Sequence, residues 1–362
     1  MVAKIIQAVA GAGKTYYITH SLDNSKRYLY ITYTNGNVLN LRNELTDTDK
    51  DPQKYSVITF SKFIIHWFIC PFYKLLSPKI NSLHGFTHLK PTMDSRLPSY
   101  KKKSDSGHYI DNKGSLYLCR LSELILSQKK ELLSSMFARI GHFVDHVVID
   151  EYQDLTGSDF NLLKLLVKQK YFDVTLVGDV YQAGVVNSLS NGKRDIKIAK
   201  YDSKMDVVEF LKNILGSQKI EIDTNSLAKS RRISKNCAEF VSKKLNINIQ
   251  SKEISKSKVH VIENSNELNQ VINKELDILI YDNRVKHIYE NHKYITWTYS
   301  KGDTYDNVLV VLTGTTDFLI DSSPTQKDLN NTTRNKLYVA LTRAHGELYI
   351  VSNKIWQKVI NK

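Results

Sequence analysis

Apolar residues in this chain gather in short, β-branched runs, and between the runs they recur every three or four positions. The runs fall at Lys4–Ala8, Arg27–Thr32, His146–Ile149, Asp173–Val177, Val308–Leu312 and Leu348–Val351. A strand that is apolar on both faces has to be covered on both faces. Such runs, set off by turn residues, therefore predict buried parallel strands in an α/β protein with helices on either side of the sheet. One covering helix is predicted over Gly157–Gln169, where Phe160, Leu162, Leu163, Leu165, Leu166 and Val167 supply the apolar stripe.

Two kinds of segment interrupt this rhythm. From about residue 76 to 120, prolines cluster near the Lys101–Lys103 run, which predicts a small insertion. The polar, basic stretches Gly184–Lys204 and Gln250–Lys258 predict a linker and a loop. A boundary in the first of them divides the chain into an expected first lobe, 1–190, and an expected second lobe, 191–362.

Charge narrows the partners. The 362 residues carry 51 Lys+Arg against 37 Asp+Glu, a formal net charge of +14, and a soluble protein this basic is expected to meet a polyanion, either nucleic acid or an anionic membrane surface. The three cysteines, Cys70, Cys119 and Cys237, are scattered and odd in number, which predicts a reducing compartment rather than a disulfide framework. The most apolar stretch, Phe63–Tyr73, is too short to span a bilayer and contains His66 and Pro71. A cytoplasmic location without a membrane partner is the expectation.

The chemistry begins directly after the first predicted strand. Ala8-Val9-Ala10-Gly11-Ala12-Gly13-Lys14-Thr15 is a small-residue turn that leads into a helix starting near Tyr16. Backbone N–H groups of such a loop wrap phosphates, a lysine reaches the β and γ oxygens, and a Thr hydroxyl ligates Mg²⁺. Ala10, Gly11, Ala12, Gly13, Lys14, Thr15 and Tyr16 are thus the candidate nucleotide-binding residues, with Mg²⁺ as the expected metal. The strand His146–Ile149 runs into Asp150-Glu151-Tyr152-Gln153-Asp154, where Asp150 can hold the metal and Glu151 can polarise the attacking water. A third strand ends in Gly178-Asp179-Val180-Tyr181-Gln182, which puts the Gln182 amide at the same cleft as a γ-phosphate sensor.

In this order, these elements resemble the superfamily 1 helicases of the UvrD/Rep group. Thr32-Tyr33-Thr34-Asn35 and Thr59-Phe60-Ser61 are similar to strand-contacting motifs of that family, and Asp150–Asp154 to its DExxQD segment. Further on, Ser230-Arg231-Arg232 stands where the family has Asn-Tyr-Arg, Ser300-Lys301-Gly302-Asp303-Thr304-Tyr305-Asp306 resembles its SKGLEFD segment, and Tyr338–Ala344 its YVALTRA segment. The resemblance implies two RecA-like P-loop NTPase lobes with parallel sheets flanked by helices. It makes Lys14, Glu151, Gln182, Arg232 and Arg343 the catalytic set, with the two arginines as fingers from the second lobe. It makes Thr34, Asn35, Thr59, Phe60, Trp297 and Tyr299 the candidate nucleic-acid contacts. The resemblance makes the nucleotide ATP, and the implied activity is ATP-dependent translocation, 3′→5′, on single-stranded or tailed duplex DNA, with a protein partner for processivity or nuclease action as an option.

The match has gaps. The seven residues before the loop leave no room for the family's adenine-reading glutamine motif, Arg231 replaces the tyrosine that stacks on the base, and Thr304 replaces the glutamate near the ribose. After Gln182 the chain reads Ala183-Gly184-Val185-Val186, without the family's aromatic and arginine, and Arg232 and Thr296 stand too close for its second-lobe insertion. The chain is similar in these respects to compact UvrD-like proteins of phages, mobile elements and defence systems. Two alternatives follow: a nucleic-acid-stimulated NTPase that acts as a sensor or remodelling subunit without unwinding, and, from Gly302-x-Thr304, a viral-type RNA helicase.

Overall fold

The parallel strands come together in two sheets. A computed structural model describes residues 3–185, 197–202, 204–217, 219–252, 257–285, 288–320 and 329–360. The first sheet contains β1 (Ala3–Ala8), β2 (Tyr28–Thr32), β3 (Tyr55–Thr59), β6 (His146–Asp150), β7 (Asp173–Gly178) and β8 (Glu221–Leu227), in the order β3-β2-β6-β7-β1-β8. The short strands β4 (Gly85–Thr87) and β5 (Ser115–Tyr117) pair with each other outside it, within the stretch expected to be an insertion. Another small pair is β9 (Lys229–Ser230) with β10 (Gln250–Ser251). The second large sheet contains β11 (Val259–Ile262), β12 (Asp277–Ile280), β13 (Tyr294–Thr296), β14 (Val308–Val311) and β15 (Leu348–Val351), in the order β11-β15-β14-β12-β13.

All pairings within the two large sheets are parallel. Strand ends carrying chemistry therefore collect along one edge of each sheet, and ligands of open parallel sheets sit at the carboxyl ends of the strands. The loops after β1, β6 and β7 meet there because these three strands occupy the centre of the first sheet.

Two expectations are corrected. β8 lies beyond residue 190, yet it pairs with β1 (Lys4↔Glu221, Ile5↔Ile222) and is fastened by Lys4 Nζ to Glu221 at 3.0 Å. The first sheet thus continues past the expected lobe boundary, because β1 would otherwise present an open edge beside the phosphate loop. The expected loop at Gln250–Lys258 starts as a strand, since Gln250 and Ser251 pair with Lys229 and Ser230. Residues 186–196 of the expected linker and residues 253–256 of that loop lie outside the described residues.

A continuous apolar core joins the lobes. Ile6, Ala8 and Val177 from the first sheet share it with Ile233, Val241, Val310, Leu337, Tyr338 and Leu341. No helix among the described residues is long and apolar enough to cross a membrane.

Candidate nucleotide site and nucleic-acid groove

The phosphate loop leaves β1 at Ala8 and enters helix α1 (Lys14–His20) through Gly13, which adopts φ 84° and ψ 41° as the helix cap. Gly11 also sits at positive φ (71°), and a Cβ there would lie 2.5 Å from Arg232 Cβ and 2.8 Å from Ser230 Oγ. Only glycine can take that backbone shape while letting the second lobe approach so closely. Arg231 N–H donates to Gly11 O at 2.8 Å and fixes the approach.

A cavity of about 320 Å³ opens over the loop. It is lined by Gly11–Tyr16, Asp150, Glu151 and Gln182 from the first sheet's loops and by Arg232, Gly302 and Arg343 from the other side. The candidate nucleotide residues and the catalytic set expected from the sequence are thus brought together, with Ala10 one residue behind the lining. Asn37, Asn40 and Glu44 complete the wall from helix α2 (Asn35–Thr46). Sequence reasoning missed these three, although they stand three or four residues apart on a helix that starts at an expected strand contact.

Glu151 sits in the left-handed region (φ 54°, ψ 40°), directly after β6. Its carboxylate receives Lys14 Nζ at 3.0 Å and Lys301 Nζ at 3.4 Å, and it accepts a hydrogen bond from the Gln153 amide. Burial alone would raise its pKa, but the two lysines outweigh burial and hold it well below the usual carboxylate range. Asp150 has no such partner; burial, then the neighbouring Glu151 charge, pushes it up to about 7. Lys301, another site residue the sequence reading left unassigned, reaches from the far side of the cleft to both Asp154 carboxylate oxygens at 2.7 Å. Its pKa is raised, because Asp154 and Glu151 outweigh the burial that would lower it.

Arg343 is 1% exposed. Its Nε donates to Val339 O at 2.9 Å and its Nη1 to Asp303 O at 3.1 Å. Burial, and then the nearby Arg232, brings its pKa down to about 9. Arg232 is likewise lowered by burial and donates to Thr342 O at 3.5 Å. A buried guanidinium with a second one beside it calls for an anion close by. The donor set therefore fits a nucleoside triphosphate. Thr15 and Asp150 fit a hard divalent cation, since both present oxygen and the Asp150 carboxyl has no cationic side chain bonded to it. Gln182 is nearly buried and donates to Asp179 Oδ2 at 2.9 Å.

The expected nucleic-acid contacts divide. Asn35 and Thr59 line a separate groove of about 210 Å³ with Val38, Leu39, Arg42 and Lys62. Thr34 and Thr59 cap the helices that follow them, accepting from Asn37 N–H at 3.1 Å and Lys62 N–H at 3.3 Å. Tyr299 is 80% exposed, free to stack. Phe60 and Trp297 are corrected: Phe60 is 4% exposed and packs near Phe63, while Trp297 is fully buried and donates its indole N–H to Leu279 O at 3.2 Å. Both rings fill the core directly beyond strand ends, where a large apolar side chain gains more from burial than from an exposed base.

Comparison with known families agrees with this geometry. Residues 89–183 match the UvrD/REP helicase N-terminal domain, and residues 213–352 match the viral superfamily 1 RNA helicase core domain. No curated protein matches the chain. Among solved structures, arterivirus nonstructural protein 10, a helicase, solved in complex with DNA, is 13% identical with a TM-score of 0.49, covering 96% of this chain and 60% of that one. The same arterivirus protein in a second crystal structure is 13% identical with a TM-score of 0.48, covering 99% and 61%. The PRRSV helicase is 14% identical with a TM-score of 0.46, covering 97% and 52%. The chain thus spans between about half and three fifths of the length of these structures.

Proposed function

We propose that this chain, which belongs to the superfamily 1 helicases, is an ATP-driven motor that moves on single-stranded nucleic acid, with DNA as its track and 3′→5′ as its direction. The observation that carries the proposal is the cavity in which Lys14, Asp150, Glu151 and Gln182 face Arg232 and Arg343 from the other side of the cleft.

The residues divide the work. Backbone N–H groups of the Gly11–Tyr16 loop and the Lys14 ammonium hold the β and γ phosphates, and Thr15 and Asp150 hold Mg²⁺. When bound, ATP supplies the phosphoanhydride bond to be cleaved and Mg²⁺ supplies charge neutralisation at its oxygens. Lys14 pairs with Glu151 at 3.0 Å. Binding of phosphate draws Lys14 away and frees the Glu151 carboxylate to accept a proton from the attacking water. Arg232 and Arg343 neutralise the charge that builds on the transferring phosphoryl group, a role worth on the order of 10³-fold in rate. Because they come from the second sheet's side, they engage only with the cleft shut. Each cycle of binding and hydrolysis then shifts the groove at Asn35, Thr59 and Lys62 relative to Tyr299.

RNA is a second reading. It is supported by the match of residues 213–352 to a viral RNA helicase core and by Thr304 within that span.

The test is the hydrolysis rate with no polymer, with single-stranded DNA and with RNA of the same sequence. DNA is expected to stimulate more than RNA, and Lys14→Ala or Glu151→Gln to abolish the stimulated rate. Hydrolysis that survives both substitutions overturns the site; stronger stimulation by RNA transfers the proposal to the second reading.

A further inference from the structure

We propose that Tyr338 is a positioning residue whose single hydroxyl ties the phosphate loop, the sensor loop and the arginine-bearing helix together, making the helix Asn331–Leu341 the pivot of the cleft. The proposal rests on the reading of the cavity as an NTP hydrolysis site.

Tyr338 is fully buried. Its hydroxyl accepts the Ala10 backbone N–H at 2.9 Å and donates to Asp179 Oδ2 at 3.1 Å. The same Asp179 oxygen accepts from Gln182 Nε2 at 2.9 Å, while its other oxygen accepts from Tyr181 N–H at 3.0 Å and Gln7 Nε2 at 3.4 Å. A phosphate-loop amide, the candidate γ-phosphate sensor and a residue of the second half of the chain thus converge on one hydroxyl and one carboxylate. Burial, and then the Asp179 charge, raises the Tyr338 pKa well above its ordinary value, so the hydroxyl keeps its proton and can serve both neighbours.

The helix is held to the first sheet at two further places. Asn335 Nδ2 donates to Ala183 O at 2.9 Å, and Arg334 Nη2 donates to Tyr201 O at 2.8 Å. Arg334 and Asn335 stand four and three residues before Tyr338, on one helical face. That face is fastened to the loops after β7, whereas Arg343 follows the helix's last turn and enters the cavity. When the cleft opens, the anchored face stays with the phosphate loop and the rest of the second sheet rotates about it. A shift of the Ala10 amide on phosphate binding is then passed along a rigid helix to Arg343. Hydrogen bonds buried away from water carry such a shift because breaking one leaves an unsatisfied group.

The test uses Tyr338→Phe, which keeps the ring and removes the hydroxyl, together with Asp179→Asn and the double variant. Polymer-stimulated kcat is expected to fall by about tenfold or more in each single variant, since a misplacement of around 1 Å can cost 10²-fold. Nucleotide KM is expected to stay within about threefold, because the binding donors are untouched. The double variant is expected to be no slower than the worse single one, as both cut the same relay. Should Tyr338→Phe fail to fold, Asp179→Asn alone reads the relay through the same split between kcat and KM. Wild-type kcat in whichever variant folds, or additive losses in the double variant, overturns the proposal. Absence of hydrolysis in the unmodified protein would instead overturn the NTPase reading.

Discussion

At the scale of single residues, Glu151 combines a left-handed backbone with a buried charge. A non-glycine residue at φ 54° costs on the order of 1–3 kcal/mol, and its carboxylate is buried between two lysines. The strain is retained because this backbone turn aims the side chain back over the phosphate loop, and Asp150 Oδ1 fixes the turn by accepting the Glu151 N–H at 2.9 Å. Glu151→Gly and Glu151→Gln separate the two contributions. Glycine removes both strain and carboxylate, while glutamine keeps the strain. Both are expected to lose hydrolysis, by about 10²-fold to 10⁴-fold. Glycine is expected to unfold at a temperature no lower than glutamine, despite having the more flexible unfolded chain. A calorimetric comparison checks the order, and a clearly less stable glycine variant would mean that the turn is unstrained. That Lys14, Thr15, Asp150 and Glu151 share one cavity was legible in the sequence, because they sit at fixed offsets from predicted strand ends. Lys301, Asn40 and Glu44 were not, because their place in the site depends on how two lobes and a helix pack. Phe60 and Trp297 show the opposite failure: an aromatic beside a strand contact looks the same in sequence whether it stacks on a base or fills the core.

At the scale of elements, position in the sheet decides legibility. β1, β2, β6 and β7 are the four inner strands of the first sheet, and each coincides with a predicted apolar run. The two strands without a prediction, β3 and β8, are the edges. β8 reads Glu-Ile-Asp-Thr-Asn-Ser-Leu, and two of its seven residues are apolar, since it needs cover on little of its surface. In the second sheet β14 and β15 were predicted and the edges β11 and β13 were not. The inner strand β12 was within reach, as Ile278-Leu279-Ile280 is a buried run of the same kind. An inner strand also imposes chemistry on its polar members. His146, at the start of β6, bonds Thr175 through Nε2 at 2.8 Å and lies beside the Tyr28 ring. Burial lowers its pKa to about 4, the nearby Asp173 opposing and Lys26 assisting. The folded chain therefore releases a proton that the unfolded chain holds below about pH 6.5. Stability from this group is complete above that pH and is lost as pH falls toward 4, roughly 3 kcal/mol in all. His146→Gln keeps a hydrogen-bonding side chain without the titration. Urea unfolding at pH 7.5 and 5 is expected to show a smaller acid loss in the variant, and equal losses would assign the acid sensitivity elsewhere.

For the whole molecule, the excess of positive charge has to be apportioned between two uses. Inside the cleft Lys14 and Lys301 are balanced by Glu151 and Asp154, and Arg232 and Arg343 line the cavity proposed to take a polyphosphate. The insertion run is partly committed too, as Lys103 pairs with Glu123 at 2.6 Å. Outside the cleft Lys50, Arg120 and Arg334 are buried, so the cations left for a track are exposed ones such as Lys62. For a single strand held by phosphate contacts, the logarithm of affinity falls with the logarithm of salt at a slope of about −0.7 per contact. A track that crosses both lobes makes several contacts, so the slope is expected to be a multiple of that value. Lys62, exposed on the groove with Asn35 and Thr59, is one member. Lys62→Ala is expected to weaken strand binding and to reduce the slope by about 0.7, while basal hydrolysis without a strand is unchanged. Fluorescence anisotropy with a labelled oligonucleotide between 50 and 200 mM salt measures both quantities. An unchanged slope with weaker binding would make Lys62 a packing residue of the groove rather than a phosphate contact. A near-zero slope in the unmodified protein would take the outer charge off the track altogether, leaving Tyr299 and other stacking contacts to hold the strand.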